Sequence, residues 1–214
     1  MNSSVQMFGM QIDTMRMPQV IEQLLTWSRQ PDAGCRYVVT PNVDHAVMFQ
    51  EHAGLRQAYA DASLVLADGF PVLVAARLLR RGIPERVAGS DLVPALFAAV
   101  NAKAQNTVGG LKPLRVFLLG AAVGVADRAK EKIQTRWPAV SVVGTYSPPI
   151  GFEKDAAENE NILTRIAAAK PEVLVVGLGA PKQELWVHAH YRQIAAPVAL
   201  CVGATIDFLA GEKA

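Results

Sequence analysis

Short runs of Val, Leu and Ile recur along the chain at 37–40, 63–67, 116–119, 140–143, 173–176 and 198–202, each followed by a longer stretch whose apolar positions have helical spacing. Within the runs the apolar character is continuous, the pattern of strands buried on both faces of a parallel sheet. Helix starts stand between them: Pro71 after Ala67-Asp68-Gly69, Ser90-Asp91 before an apolar stretch at 92–97, and Pro181 after Gly177-Leu-Gly-Ala180. Strands alternating with helices predict βαβ crossovers and one α/β domain over residues 1–214, a mostly parallel sheet flanked by helices. Before the first run, residues 5–12 predict an added strand or small hairpin. Residues 18–29 predict a helix with Val20, Ile21, Leu24, Leu25 and Ser28 on one face. Another helix is expected over 45–59, and another ending near Arg81. The linker-like stretch 106–113 leaves two strands before it and four after, and is expected to join two halves of one sheet. The order of strands does not follow from the pattern.

Composition narrows the function classes. A 51% hydrophobic fraction and only 19% charged residues exclude a disordered tail protein. The 21 Lys and Arg nearly cancel the 19 Asp and Glu, and neither half of the chain is strongly basic, so no nucleic-acid partner is expected. Cys35 and Cys201 each lie beside an apolar run and read as reduced core thiols, which points to a cytoplasmic protein. The start lacks the basic and apolar regions of a signal peptide, and no window is apolar enough to span a bilayer.

In open parallel sheets ligands bind beyond the carboxyl ends of the strands, and the residues just after each run are polar or bare. They include Thr40-Pro-Asn-Val-Asp-His45, Ala67-Asp68-Gly69, Gly120-Ala-Ala-Val-Gly124, Gly177-Leu-Gly179 and Gly203-Ala-Thr205. Two of these loops are glycine-rich and open helices, leaving N–H groups to face an anion such as a diphosphate, although glycine there also serves as a plain turn device. Asp68 ends an apolar strand and is desolvated unless it has a partner or a task; a general base and a buried helix cap are both open. Thr40 and Asn42 fit either a helix cap or the orientation of a hydroxyl-bearing substrate. Four arginines fall between Arg77 and Arg86, a cluster suited to phosphate or anionic lipid, or to a solvated helix end. Arg86, beside another helix start, is the better ligand candidate. No metal is expected: there is no D-x-D, and His188 and His190 are two apart on a helix and diverge. A G-x-S-x-G signature is also absent.

Taken together, Thr40-Pro-Asn-Val-Asp44, Ala67-Asp-Gly69, Arg86-Val-Ala-Gly-Ser-Asp91, Phe117-Leu-Leu-Gly120, Val176-Gly-Leu-Gly-Ala-Pro-Lys-Gln-Glu184 and Val202-Gly-Ala-Thr-Ile-Asp-Phe-Leu-Ala-Gly211 resemble the WecG/TagA/CpsF glycosyltransferases in order and spacing, over residues 5–211. The resemblance implies a Rossmann-like fold and an inverting transferase. Such an enzyme moves a sugar from a UDP-sugar to a polyprenyl-diphosphate-linked saccharide in bacterial envelope or exopolysaccharide assembly, with no cofactor. In that setting Asp68 takes the base role, Thr40, Asn42, Arg86 and Gln183 bind substrate, and Gly120, Gly177, Gly179, Lys182 and Asp207 serve the nucleotide. A capping role competes at Asp207. Family members continue past the Phe-Leu-Ala-Gly stretch into an appendage implicated in membrane docking, so the expectation is a catalytic domain lacking it. The complete protein would then sit on the inner face of the cytoplasmic membrane, with self-association possible. Two other readings are a dinucleotide oxidoreductase, disfavoured by the missing G-x-G-x-x-G, and a non-catalytic scaffold of a membrane assembly complex.

Overall fold

The computed structural model describes residues 3–80, 82–107 and 111–212. It opens with an antiparallel hairpin, β1 (Ser4–Met7) and β2 (Met10–Asp13), turned by Phe8 and Gly9, both at positive φ as a two-residue hairpin turn requires. Helix α1 (Met17–Ser28) follows and buries Val20, Leu24, Leu25 and Ser28, with Ile21 half-buried beside them. Next come β3 (Arg36–Val39), α2 (Val43–Glu51), α3 (Ala53–Ala60), β4 (Leu64–Val65), α4 (Phe70–Leu78) and α5 (Gly89–Gln105). The second half runs β5 (Leu114–Gly120), α6 (Val125–Arg136), β6 (Val140–Tyr146), α7 (Ala156–Ala169), β7 (Val173–Gly177), α8 (Lys182–His190), β8 (Val198–Cys201) and α9 (Thr205–Ala210).

All six apolar runs are strands of one parallel sheet, in the order β4-β3-β8-β7-β5-β6. The two strands before the 106–113 stretch take one edge and the four after it the remainder; residues 108–110 of that stretch lie outside the described residues. Both faces of the sheet are covered, which is why its strands read as unbroken apolar runs. Val38, Val116, Val175 and Leu200 point to one face, under α1, α5, α6 and α9. Val39, Phe117, Val176 and Cys201 point to the other, under the hairpin, α2, α3, α4, α7 and α8. Asp13 ties the hairpin to the sheet edge by accepting from the Val65 N–H at 2.9 Å. Cys35 and Cys201 are free and buried, and burial pushes the Cys35 thiol up to about 12.

Two helix expectations need correction. The 45–59 helix is two helices, broken at His52, whose backbone is extended and whose Nδ1 accepts from the Leu55 N–H at 3.1 Å, so that it caps α3. The helix expected to end near Arg81 stops at Leu78, and Arg80 takes a positive φ; Arg81 lies outside the described residues. No helix among the described residues is long and apolar enough to cross a membrane.

Candidate active site

Because every strand of the sheet runs the same way, each βα turn brings a helix N-terminus to the same rim. The dipoles of α2, α4, α6, α8 and α9 therefore turn their positive ends toward one region, which favours an anionic ligand. Neighbouring strands send their following helices to opposite faces at β3/β8, β8/β7, β7/β5 and β5/β6. Those are the switch points at which a crevice opens in such a sheet.

At the β4 end, Asp68 is fixed by its backbone, whose N–H donates to the Pro41 carbonyl at 2.9 Å. The backbone N–H groups of Gly69 and of Gly89, the first residue of α5, favour its ionised form. Both of the roles considered for Asp68 are compatible with its surroundings: it faces the start of α5, and it keeps 26% of its side chain open to solvent. Desolvation holds its carboxyl above the ordinary aspartate value, while Arg86 and the two backbone N–H groups pull in the other direction. Arg86 Nη1 lies 3.9 Å from Asp68 Oδ1, and its Nη2 is paired with Asp91 in the first turn of α5.

Close backbone approach assembles this end of the site. A Cβ on Gly89 would stand 2.6 Å from the Val202 Cβ and 2.9 Å from its Cα, so only glycine lets α5 begin against the end of β8. A Cβ on Gly120, which has φ 118°, would fall 2.3 Å from the Gly177 carbonyl oxygen, the same oxygen that accepts from the Ala121 N–H at 3.1 Å. Gly120 and Gly177 thus close strand ends on each other. Gly179, at φ 78°, has open space where a Cβ would be.

A buried polar chain crosses the rim beneath these loops. Thr40 donates its hydroxyl to the Cys201 carbonyl at 3.2 Å. Asn42 caps α2, its Oδ1 accepting from the His45 N–H at 3.2 Å and lying 2.7 Å from His45 Nδ1. His45 Nε2 meets Glu184 Oε1 at 3.2 Å; that same oxygen accepts from Gln183 Nε2 at 2.7 Å, and Gln183 Oε1 accepts from the Gly203 N–H at 3.0 Å. Asn42, His45, Glu184 and Gln183 therefore link the starts of α2 and α8 to the turn after β8. Glu184 is wholly buried, and its Oε2 and the Tyr59 hydroxyl have no hydrogen-bond partner among the described residues. Burial, with Glu184 nearby, pushes the Tyr59 phenol far up.

The structure brings Thr40, Asn42, Asp68, Arg86 and Gln183 to this rim, with Gly120, Gly177 and Gly179 across it. Lys182 turns away: its Nζ lies 3.5 Å from Glu153 Oε2 and over the Phe152 ring, and would have to leave both to meet a phosphate. Asp207 sits in the first turn of α9. Sequence reasoning missed His45 and Glu184. The available signal was their place among buried apolar residues, His45 with Ala46 and Phe49 on α2, and Glu184 with Trp186 and Val187 on α8. No group of three His, Cys, Asp or Glu among the described residues is arranged to hold a metal ion. A groove of about 660 Å³ lined by Pro94, Lys132, Trp137, Phe208 and Leu209 includes none of these rim residues.

The model of the glycosyl transferase WecG/TagA/CpsF family matches residues 5–214. A protein of Staphylococcus aureus strain NCTC 8325 / PS 47, named N-acetylglucosaminyldiphosphoundecaprenol N-acetyl-beta-D-mannosaminyltransferase, is 28% identical over 211 residues, covering 99% of this chain and 77% of the relative. Proteins of the same name from strains COL and MSSA476 match to the same extent.

Proposed function

The chain belongs to the WecG/TagA/CpsF family of glycosyltransferases, and we propose that it moves an N-acetylhexosamine, of the N-acetylmannosamine type, from a UDP-sugar to an N-acetylglucosamine carried on a polyprenyl diphosphate. The donor and acceptor classes rest on the names of the Staphylococcus aureus relatives and on a rim whose helix N-termini and Arg86 suit diphosphates. The observation that carries the catalytic reading is Asp68: a half-buried carboxylate at a strand end, 3.9 Å from Arg86, raised by desolvation and open on one side.

In this reading the acceptor hydroxyl sits against Asp68. Its proton passes to the carboxylate as its oxygen bonds to the anomeric carbon, and the bond from that carbon to the UDP oxygen breaks on the opposite face, inverting the configuration. A base raised above the ordinary aspartate range takes that proton more readily. UDP departs as an anion, and fixed N–H groups at the starts of α6 and α8 stabilise the charge without having to reorient. Gln183 is 2% exposed, so its part is to hold the turn after β8 from below, with Thr40 and Asn42 lining the acceptor side. The enzyme then works at the membrane surface, where a polyprenyl-linked acceptor resides.

The test is a donor screen: UDP-N-acetylmannosamine, UDP-N-acetylglucosamine and UDP-glucose offered with N-acetylglucosamine on a shortened prenyl diphosphate, the product read by mass and anomeric configuration. Inverted N-acetylmannosaminyl product is expected. No transfer from any UDP-sugar, together with tight NADH binding, would instead support an oxidoreductase.

A further inference from the structure

Helix α4 (Phe70–Leu78) has the sequence Phe-Pro-Val-Leu-Val-Ala-Ala-Arg-Leu, apolar on every side except at Arg77. A helix of that kind belongs in a core or against another apolar phase. Yet α4 follows β4, the edge strand, and only Val72 and Ala76 are fully covered. Phe70, Val74 and Leu78, spaced four apart on one stripe, are exposed, and so is Leu79 just beyond. Phe70 and Leu78 keep 69% and 79% of their surface open, a concentration of bare apolar side chains that ordinary surfaces avoid.

Charge says what the stripe meets. From Gly69 to Pro84 the sequence has no acidic residue, while Arg77, Arg80 and Arg81 are all basic. Arg77 and Arg80 are exposed at the end of the helix. An apolar face bordered by guanidinium groups is the arrangement of a helix lying in a lipid interface, side chains among acyl chains and arginines at anionic headgroups. A second copy docked by the same patch about a two-fold axis would set the arginines of both copies against each other. The stripe also begins two residues after Asp68. A bilayer touching α4 would therefore lie beside the base.

We propose that α4 is the surface by which this protein docks on an anionic bilayer, Phe70, Val74, Leu78 and Leu79 entering the interface and Arg77 and Arg80 meeting lipid phosphates. This rests on the glycosyltransferase reading only for its purpose, which is to present a lipid-linked acceptor to Asp68. The docking itself is tested without catalysis.

The 214-residue chain is sedimented with vesicles of phosphatidylethanolamine and phosphatidylglycerol, and with vesicles of phosphatidylcholine alone. Compared with it are Leu78→Ser/Leu79→Ser, Arg77→Glu/Arg80→Glu and, as a control at the opposite sheet edge, the fully exposed Ile150→Ser. The same proteins are assayed for transfer to a water-soluble, short-chain acceptor and sized by light scattering without lipid. The expected result is binding to the anionic vesicles, weakened roughly fivefold or more by either double variant and unchanged by Ile150→Ser, with transfer to the soluble acceptor held within about twofold. Wild-type binding by both double variants, or no vesicle binding by the parent chain, overturns the proposal. So does a lipid-free dimer that the variants dissociate while vesicle binding persists. If vesicle binding follows α4 but no UDP-sugar is used by any form, the docking surface stands and the catalytic reading fails.

Discussion

His45 Nε2 stands 3.2 Å from Glu184 Oε1 across 139 residues of sequence, and the carboxylate it meets is wholly excluded from solvent. The other ring nitrogen faces Asn42 Oδ1 at 2.7 Å, so one imidazole joins the cap of α2 to the first turn of α8. A carboxylate in such a place is tolerable only while its hydrogen bonds persist, since an uncompensated buried charge is expensive.

His45→Ala is therefore predicted to lower stability by about 3–5 kcal/mol, because it leaves Glu184 with Gln183 alone. Glu184→Gln, which keeps shape and removes charge, is predicted to cost only about 1 kcal/mol. Urea unfolding of both variants and of the double variant checks this: the double should lose less than the two losses added, and strict additivity would show that the pair is uncoupled.

For Asp68 the pH dependence has a definite sign. Its folded-state pKa is raised, so the stabilisation linked to its proton is complete below the unfolded value near 3.8 and is lost as pH rises through the folded value. Once pH has passed the folded value the ionised carboxylate weighs against the fold, and Asp68→Asn is predicted to melt there at the same temperature or higher while losing activity. In the parent enzyme the acid limb of kcat/KM should lie above the ordinary aspartate range. A clear fall in the melting temperature of the Asn variant at pH 7 would contradict the desolvation account.

The rim glycines divide by mechanism. Gly120→Ala drives a Cβ into the Gly177 carbonyl and should cost more than about 3 kcal/mol or prevent folding. Gly179→Ala meets open space and adds only the strain of its positive φ, about 1 kcal/mol. Thermal melts separate the two. A rise in donor KM for folded Gly179→Ala would connect that loop to the nucleotide.

Gln183→Glu sets a second carboxylate beside Glu184 in a solvent-free site: ionised, it still accepts from the Gly203 N–H but cannot donate to Glu184, and protonated it restores both hydrogen bonds. We predict a loss of about 2 kcal/mol or more at pH 7 that shrinks on acidification, measured by denaturant midpoints at pH 5 and 7. A pH-independent loss would mean that packing, not charge, is responsible.

Much of the fold was legible because continuous apolar runs have only one comfortable place, inside a sheet covered on both faces. All six runs, the hairpin over 5–12 and the face of α1 follow from that. The strand order was not legible, since pairing β3 with β8 joins Arg36 to Val198 and no local pattern encodes so long a closure. The break at His52 escaped because a histidine cap looks like any polar residue in a helical stretch until its Nδ1 is seen to accept from Leu55. Residues that end their own strand, such as Asp68 and Thr40, could be placed on this rim in advance. The His45–Glu184 contact could not, because neither residue announces a partner on another strand.

Single-turnover transfer by the parent chain and by Asp68→Asn tests whether Asp68 accepts the acceptor hydroxyl proton. With UDP-N-acetylmannosamine and a short-chain N-acetylglucosaminyl diphosphate lipid, the Asn variant is predicted to bind UDP with unchanged affinity and to transfer about 10²–10⁴ times more slowly. Transfer by Asp68→Asn at the parental rate, with an inverted product, would remove Asp68 from the base role.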